Sequence, residues 1–226
     1  MAIKILHYDD LPIGGCAGLK EHRLVMSPKL FGQFVNPGTW PGIGDFVYLA
    51  EAGLDPQGET TLHEHKEIDI VSIVIEGQML HQGSLQHGQE LEAGMVQVQR
   101  AGGDGFSHNE INPENSKNRL IQLWVLPEQK GAAASYKLYQ LQTAKVTRVY
   151  GGSASQTNTI ASNTVIDIAL LEAAQEFELH KPFLAYLVTG SGKIDNQDVS
   201  DGMLFKGDQF CFKAYSEVIL IVIYEY

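Results

Sequence analysis

Gly, Pro, Asn and Asp interrupt this sequence so often that its apolar runs stay too short for helices. The runs left between them include residues 70–75, 95–99, 120–125, 183–188 and 218–224, all rich in β-branched and aromatic side chains. Such side chains pack well on a pleated surface, and 23 glycines supply the turns that closely spaced strands demand. The expectation is an all-β chain of sandwich or barrel type, with residues 132–142 the best of few helical candidates.

A duplication refines this expectation. The segment around Gly77 and Gly94 is matched by one around Gly190 and Gly207, both glycine pairs being separated by the same 113 positions. Each copy reads strand, glycine turn, strand, polar turn, Leu91 or Leu204, glycine, strand. A glycine after a strand admits the positive φ of a tight hairpin. Two β-barrels in tandem follow, with a boundary at or a little before the Gly-Gly-Ser-Ala-Ser stretch that begins at Gly151. We divide the chain into residues 1–140 and 141–226.

His63 and His65 flank Glu64 in a segment of strand character. Side chains two apart on a strand share a face and stand about 7 Å apart, a spacing from which two ligands can converge on one ion. His108 and Glu110 repeat the pattern after the turn-rich stretch 101–105. If the two strands face each other, three imidazoles and one carboxylate meet. That donor set suits Fe, Mn, Co, Ni, Cu or Zn and lacks the thiolates of a structural zinc site. Carried through the 113-residue offset, the four positions become Glu176, Glu178, Ile221 and Ile223, so the second barrel is expected to hold no metal.

The remaining polar residues read as follows. His81 shares strand parity with Met79, which favours lining the barrel over ligation; His87 lies in a polar turn, and His180 stands alone. Cys16 and Cys211 lie near opposite ends of the sequence and read as reduced thiols. The glycines of 101–105 let backbone pass close to the barrel mouth, and Asp104 makes phosphate cradling a poor fit. A formal net charge of −11 disfavours direct nucleic-acid binding. No stretch approaches the roughly 18 apolar residues of a membrane span, and Asp9-Asp10 precedes any signal-like run, so a cytoplasmic protein is expected.

The run from His63-Glu64-His65 through Asp69 to Gly77, then His81, then Ala101-Gly102-Gly103 through His108 and Glu110, resembles the pirin family of the cupin superfamily. Gln122-Leu123-Trp124 through Pro127-Glu128 extends the similarity. The resemblance implies two cupin (double-stranded β-helix, or jelly-roll) barrels. It also implies one divalent transition metal, most often iron, held in the N-terminal barrel by His63, His65, His108 and Glu110. It further implies a dioxygenase of the quercetin 2,3-dioxygenase type acting on a small aromatic flavonol, with Glu110 as ligand or general base. The alternative it carries is a non-catalytic metal- or redox-sensing protein, or transcriptional cofactor, acting through a protein partner. Asp69 sits where broader cupins carry a ligating Glu and is expected to orient a ligand histidine. Lys66-Glu67-Ile68 and the stretch 22–26 depart from the family pattern, which bears on the pocket mouth and the substrate.

Overall fold

The computed structural model describes residues 3–226. The chain forms two units, Leu11–Gln140 and Leu141–Tyr226 with the described residues up to Asp10. After β1 (Lys4–His7), the strands of the first unit are β2 (Ile13–Gly14), β3 (Leu19–Met26), β4 (Phe46–Leu54), β5 (His63–His65) and β6 (Asp69–Glu76). They continue with β7 (Gln78–Gly83), β8 (Gln89–Glu92), β9 (Met95–Arg100), β10 (Phe106–Ile111), β11 (Arg119–Val125) and β12 (Ser135–Gln140). The second unit adds β13 (Lys145–Gly152), β14 (Ser162–Leu171), β15 (Glu176–Leu179), β16 (Phe183–Thr189) and β17 (Ser191–Ile194). It ends with β18 (Gln197–Ser200), β19 (Met203–Gly207), β20 (Phe210–Ala214) and β21 (Val218–Glu225).

The duplication is visible in the strand order. The first unit has sheets β12-β9-β6-β11-β4-β3-β2 and β5-β10-β7-β8; the second has β1-β19-β16-β21-β14-β13 and β15-β20-β17-β18. Adding ten to each strand number of the first unit reproduces the second, except at the edges of the larger sheet: β2 has no counterpart, and the β12 edge is filled differently. There β1 pairs with β19 where the repeat would place a counterpart of β12. An unpaired sheet edge exposes a row of backbone donors and acceptors, and β1 covers it. Residues 4–7 therefore belong with the second unit, although the sequence division assigned them to the first.

Two further expectations are corrected. Residues 132–142 contain no helix: β12 pairs antiparallel with β9, with Tyr136 opposite Gln99 and Gln140 opposite Met95. Two tyrosines and a leucine in this segment suit a pleated edge, and the ladder to β9 outweighs local helix propensity. The uniform 113-residue offset holds at the Gly77 and Gly190 turns but not at β15 or beyond β17. The β7–β8 and β9–β10 connections have five residues each, whereas β17–β18 and β19–β20 have two each. The counterpart of Gly94 is consequently Gly202, both at positive φ, while Gly207 ends a strand.

The interior of the first unit is set out in cross-strand rows. Val74, Leu120 and Ala52 are register partners on β6, β11 and β4, and with Leu54, Met79 and Leu91 they form an apolar floor. Two residues along lies the row Gln97, Ser72, Gln122 and Ala50; two further along come Gln99, Ile70, Trp124 and Tyr48. Strand parity keeps all three rows on one face. The second unit is filled instead by apolar side chains, among them Phe183, Phe205, Phe210, Phe212 and Leu220. Among the described residues, no helix is long and apolar enough to cross a membrane.

Candidate metal centre

Strands β5 and β10 pair so that His63 lies opposite His108 and His65 opposite Phe106. This register brings three imidazoles together: His108 Nε2 is 3.0 Å from His63 Nε2 and 3.1 Å from His65 Nε2. On the other side of β10, His108 faces Gly83 of β7, and a Cβ there would lie 2.9 Å from His108 Cα and 2.3 Å from the Ser107 carbonyl. Glycine is what allows β7 and β10 to close at that point.

The protonation of the cluster follows from its neighbours. His63 Nδ1 is 2.8 Å from the Thr61 carbonyl, which can only accept, so Nδ1 donates to it and Nε2 faces the cluster. Thr61 itself stands at φ +64°, an unfavourable region for a β-branched residue, and its carbonyl is the group that fixes the imidazole. Burial lowers His65 to about 4, helped by His63. Burial likewise takes His108 down to about 2, with further contributions from His65, His63 and His81. His65 and His108 are therefore neutral at physiological pH.

Glu110 lies one row deeper than His108 on β10 and is fully buried. The carboxylate is held by three neutral donors. Ser72 Oγ (2.9 Å) and Gln97 Nε2 (3.2 Å) donate to Oε1, and Gln122 Nε2 donates to Oε2. Burial raises Glu110 to about 7 against these three hydrogen bonds, and no cationic side chain stands beside it. The structure thus brings His63, His65 and His108 into one set of donor atoms within 4.8 Å of one another, and Glu110 is not part of that set.

A transition-metal ion fits these residues. Two nitrogen ligands at right angles on one ion, each at about 2.0–2.1 Å, stand about 3 Å apart, matching the separations found here. Three imidazoles with converging nitrogens, above a buried carboxylate that lacks a countercharge, make a donor set suited to a cation.

The other sequence candidates fall around this centre. His81 is buried with Nε2 2.8 Å from the Leu85 carbonyl and its ring centroid 5.4 Å from that of His108; it lines the interior. Asp69 is gripped through both oxygens by Arg100, Nη2 lying 2.9 Å from Oδ2, so the structure gives it a guanidinium partner where a histidine was expected. His87 and His180 are exposed. Gly105, at φ +78°, runs so close to His65 that a Cβ would lie 2.7 Å from that residue's carbonyl. Sequence reasoning missed Ser72, Gln97, Gln122, Tyr48 and Trp124. The available signal was a polar residue inside an otherwise apolar strand, as with Ser72 in β6.

In the second barrel the inward side chains of the corresponding strands are apolar: Phe177 and Leu179 on β15, and Phe210, Phe212 and Ala214 on β20. Glu176 and Glu178 point outward, one residue out of phase with the offset projection, because a one-residue slip reverses every side chain. Ile221 and Ile223 lie on β21, the counterpart of β11.

A two-barrel cupin with a converging histidine triad in one barrel is the class that fold and site define. The pirin family model matches residues 34–125. PA1210 of Pseudomonas aeruginosa is 30% identical over 175 residues, covering 70% of this chain and 75% of that protein. The chain belongs to the pirin family. An Escherichia coli protein named quercetin 2,3-dioxygenase is 37% identical over 90 residues, 39% of this chain and 37% of that protein; the match spans little more than a third of that relative. The crystal structure of the bacterial pirin YhhW from Escherichia coli in complex with nickel(II) superposes with a TM-score of 0.84, covering 98% of each chain at 17% identity.

Proposed function

We propose that this protein is a metal-dependent dioxygenase of the quercetin 2,3-dioxygenase type, acting on a small aromatic substrate with an enolisable or phenolic hydroxyl. The observation that carries the reading is the convergence of three imidazole Nε2 atoms beside a cavity of about 440 Å³ to which His65 contributes. Cavities of several hundred Å³ accommodate drug-sized ligands.

His63, His65 and His108 hold the ion, and Glu110 offers the negative charge from the row beneath. A bound ion would supply Lewis-acid chemistry at the substrate oxygen. Oε2 of Glu110 carries one donor against two on Oε1, so it is the less saturated oxygen and the one left to meet the ion or accept the substrate proton. Phe106, with its ring 5.5 Å from that of His65, and Trp124, at 5.7 Å, present aromatic surface on which a planar substrate can stack.

The test is O₂ uptake with quercetin, using protein loaded in turn with Fe, Mn, Ni, Co and Cu. Metal-dependent consumption that disappears in His108→Ala is the expected result. No turnover with any of the five ions overturns the flavonol reading.

A further inference from the structure

Beside the histidine cluster, a line of oxidisable side chains leads away from the site. The Trp124 ring centroid is 5.7 Å from that of His65, and the Tyr48 ring stacks on Trp124 at 4.3 Å. Tyr48 is 3% exposed, and its hydroxyl donates to Glu21 Oε2 at 2.5 Å. Glu21, itself buried, is paired with Arg23, whose Nε donates to Oε1 at 2.7 Å. Trp124 and Tyr48 are register partners on β11 and β4, so the stacking is built into the sheet. Phe31 lies against both rings.

Packing alone does not require this chemistry, since phenylalanine at position 48 would fill the same space without burying a hydroxyl and a carboxylate. Indole and phenol are among the side chains most readily oxidised by one electron. A phenol yields its electron far more easily when its proton has a carboxylate to go to. The second unit has a similar group, Tyr224 donating to Asp167 at 2.8 Å with Arg148 attached, but that unit contains no tryptophan.

We propose that Trp124, Tyr48 and Glu21 form a relay that draws oxidising equivalents away from the histidine cluster. When hydrogen peroxide meets a reduced ion at the cluster without substrate, its O–O bond breaks; one electron from the ion, one from the Trp124 indole and two protons from solvent convert it to two waters. Tyr48 returns one electron to the indole while its hydroxyl proton crosses to Glu21 Oε2, leaving a neutral tyrosyl radical and a protonated carboxyl. One electron from a thiol- or ascorbate-class reductant, with the proton handed back by Glu21, restores the phenol. The ligand histidines are spared. The relay rests on the ion-binding part of the function proposed above, but not on flavonol turnover.

The experiment loads the full chain with iron(II) or copper(I) under argon, whichever it retains by mass spectrometry, adds hydrogen peroxide and freezes samples for electron paramagnetic resonance. Wild type is expected to give a tyrosyl signal that narrows with ring-deuterated tyrosine. Tyr48→Phe should abolish that signal, Glu21→Gln should reduce it at least tenfold, and Tyr224→Phe should leave it unchanged. Peptide mapping of Tyr48→Phe should show several-fold more oxygen addition at Trp124 and His65. An ion-loaded wild type without an organic radical overturns the relay alone, as does a signal unchanged in Tyr48→Phe or in Glu21→Gln. A chain that retains neither ion overturns the relay, and one that retains none of Fe, Mn, Co, Ni, Cu and Zn overturns the metal reading with it. Glu21→Gln preserves size and hydrogen-bonding capacity, so it keeps the test valid should Tyr48→Phe fold poorly.

Discussion

His65 is held neutral down to about pH 4 and His108 down to about pH 2, chiefly by burial, whereas Glu110 keeps its proton up to about pH 7. These shifts act in opposite directions on the stability of the metal-free chain. Below about pH 6.5 the unfolded histidines bind protons that the folded ones refuse, so stability falls as the pH drops. Above about pH 4.3 the unfolded Glu110 has released a proton that the folded carboxyl retains, so its contribution falls as the pH rises toward 7. Where the windows overlap, two histidines outweigh one carboxyl, and the net slope still rises with pH. Above about pH 6.5 only Glu110 acts, and the slope reverses until about pH 7. Thermal unfolding in chelator from pH 4 to 8 should therefore show its maximum near pH 6.5. In Glu110→Gln the decline on the alkaline side should vanish, and in His108→Ala the acid limb should become shallower. A monotonic wild-type profile would contradict the assigned burial of these groups.

At the scale of strands, the site depends on how closely β7 approaches β10. Gly83→Ala places a Cβ against the backbone of Ser107 and His108, atoms that cannot rotate away. Forcing such a contact costs about 1–3 kcal/mol, and because the strain falls on the His108 backbone, metal affinity should drop at least tenfold. Thermal unfolding and metal titration check the two effects separately. The legible and illegible parts of the site divide at this same scale. The shared face of His63 and His65, and of His108 and Glu110, follows from strand parity over three residues, which sequence displays directly. The row of Gln97, Ser72 and Gln122 beneath them depends on the register of three strands spanning residues 69–125, which no local pattern encodes. Tyr48 opposite Trp124 was hidden for the same reason. β12 reads as a helical candidate because its partner β9 lies some forty residues earlier, and only that pairing makes it a strand. The repeat itself was legible through Gly77 and Gly190, both at positive φ. Its later register was not, because the shorter hairpins of the second copy break the constant spacing.

Across the whole chain, one architecture is used twice with opposite interiors. The first barrel surrounds its cluster with buried polar groups, among them His81, Gln97, Gln99 and Glu110, while the second packs Phe177, Leu179, Phe212 and Ala214 on the corresponding strands. A polar interior of this kind contributes less to stability than an apolar one of equal volume unless a cation compensates it. The two barrels should therefore separate the two properties. Phe212 is fully buried within the second core, and Phe212→Ala should cost about 3–5 kcal/mol through lost burial and the cavity left behind. It should leave the metal content at the level of the unsubstituted protein. His108→Ala should do the reverse, removing the ion. Thermal unfolding in chelator and elemental analysis of the same two preparations decide the matter. A Phe212→Ala protein that folds but loses half its metal or more would mean that the second barrel takes part in holding the ion, and the division of labour drawn from the paired interiors would be wrong.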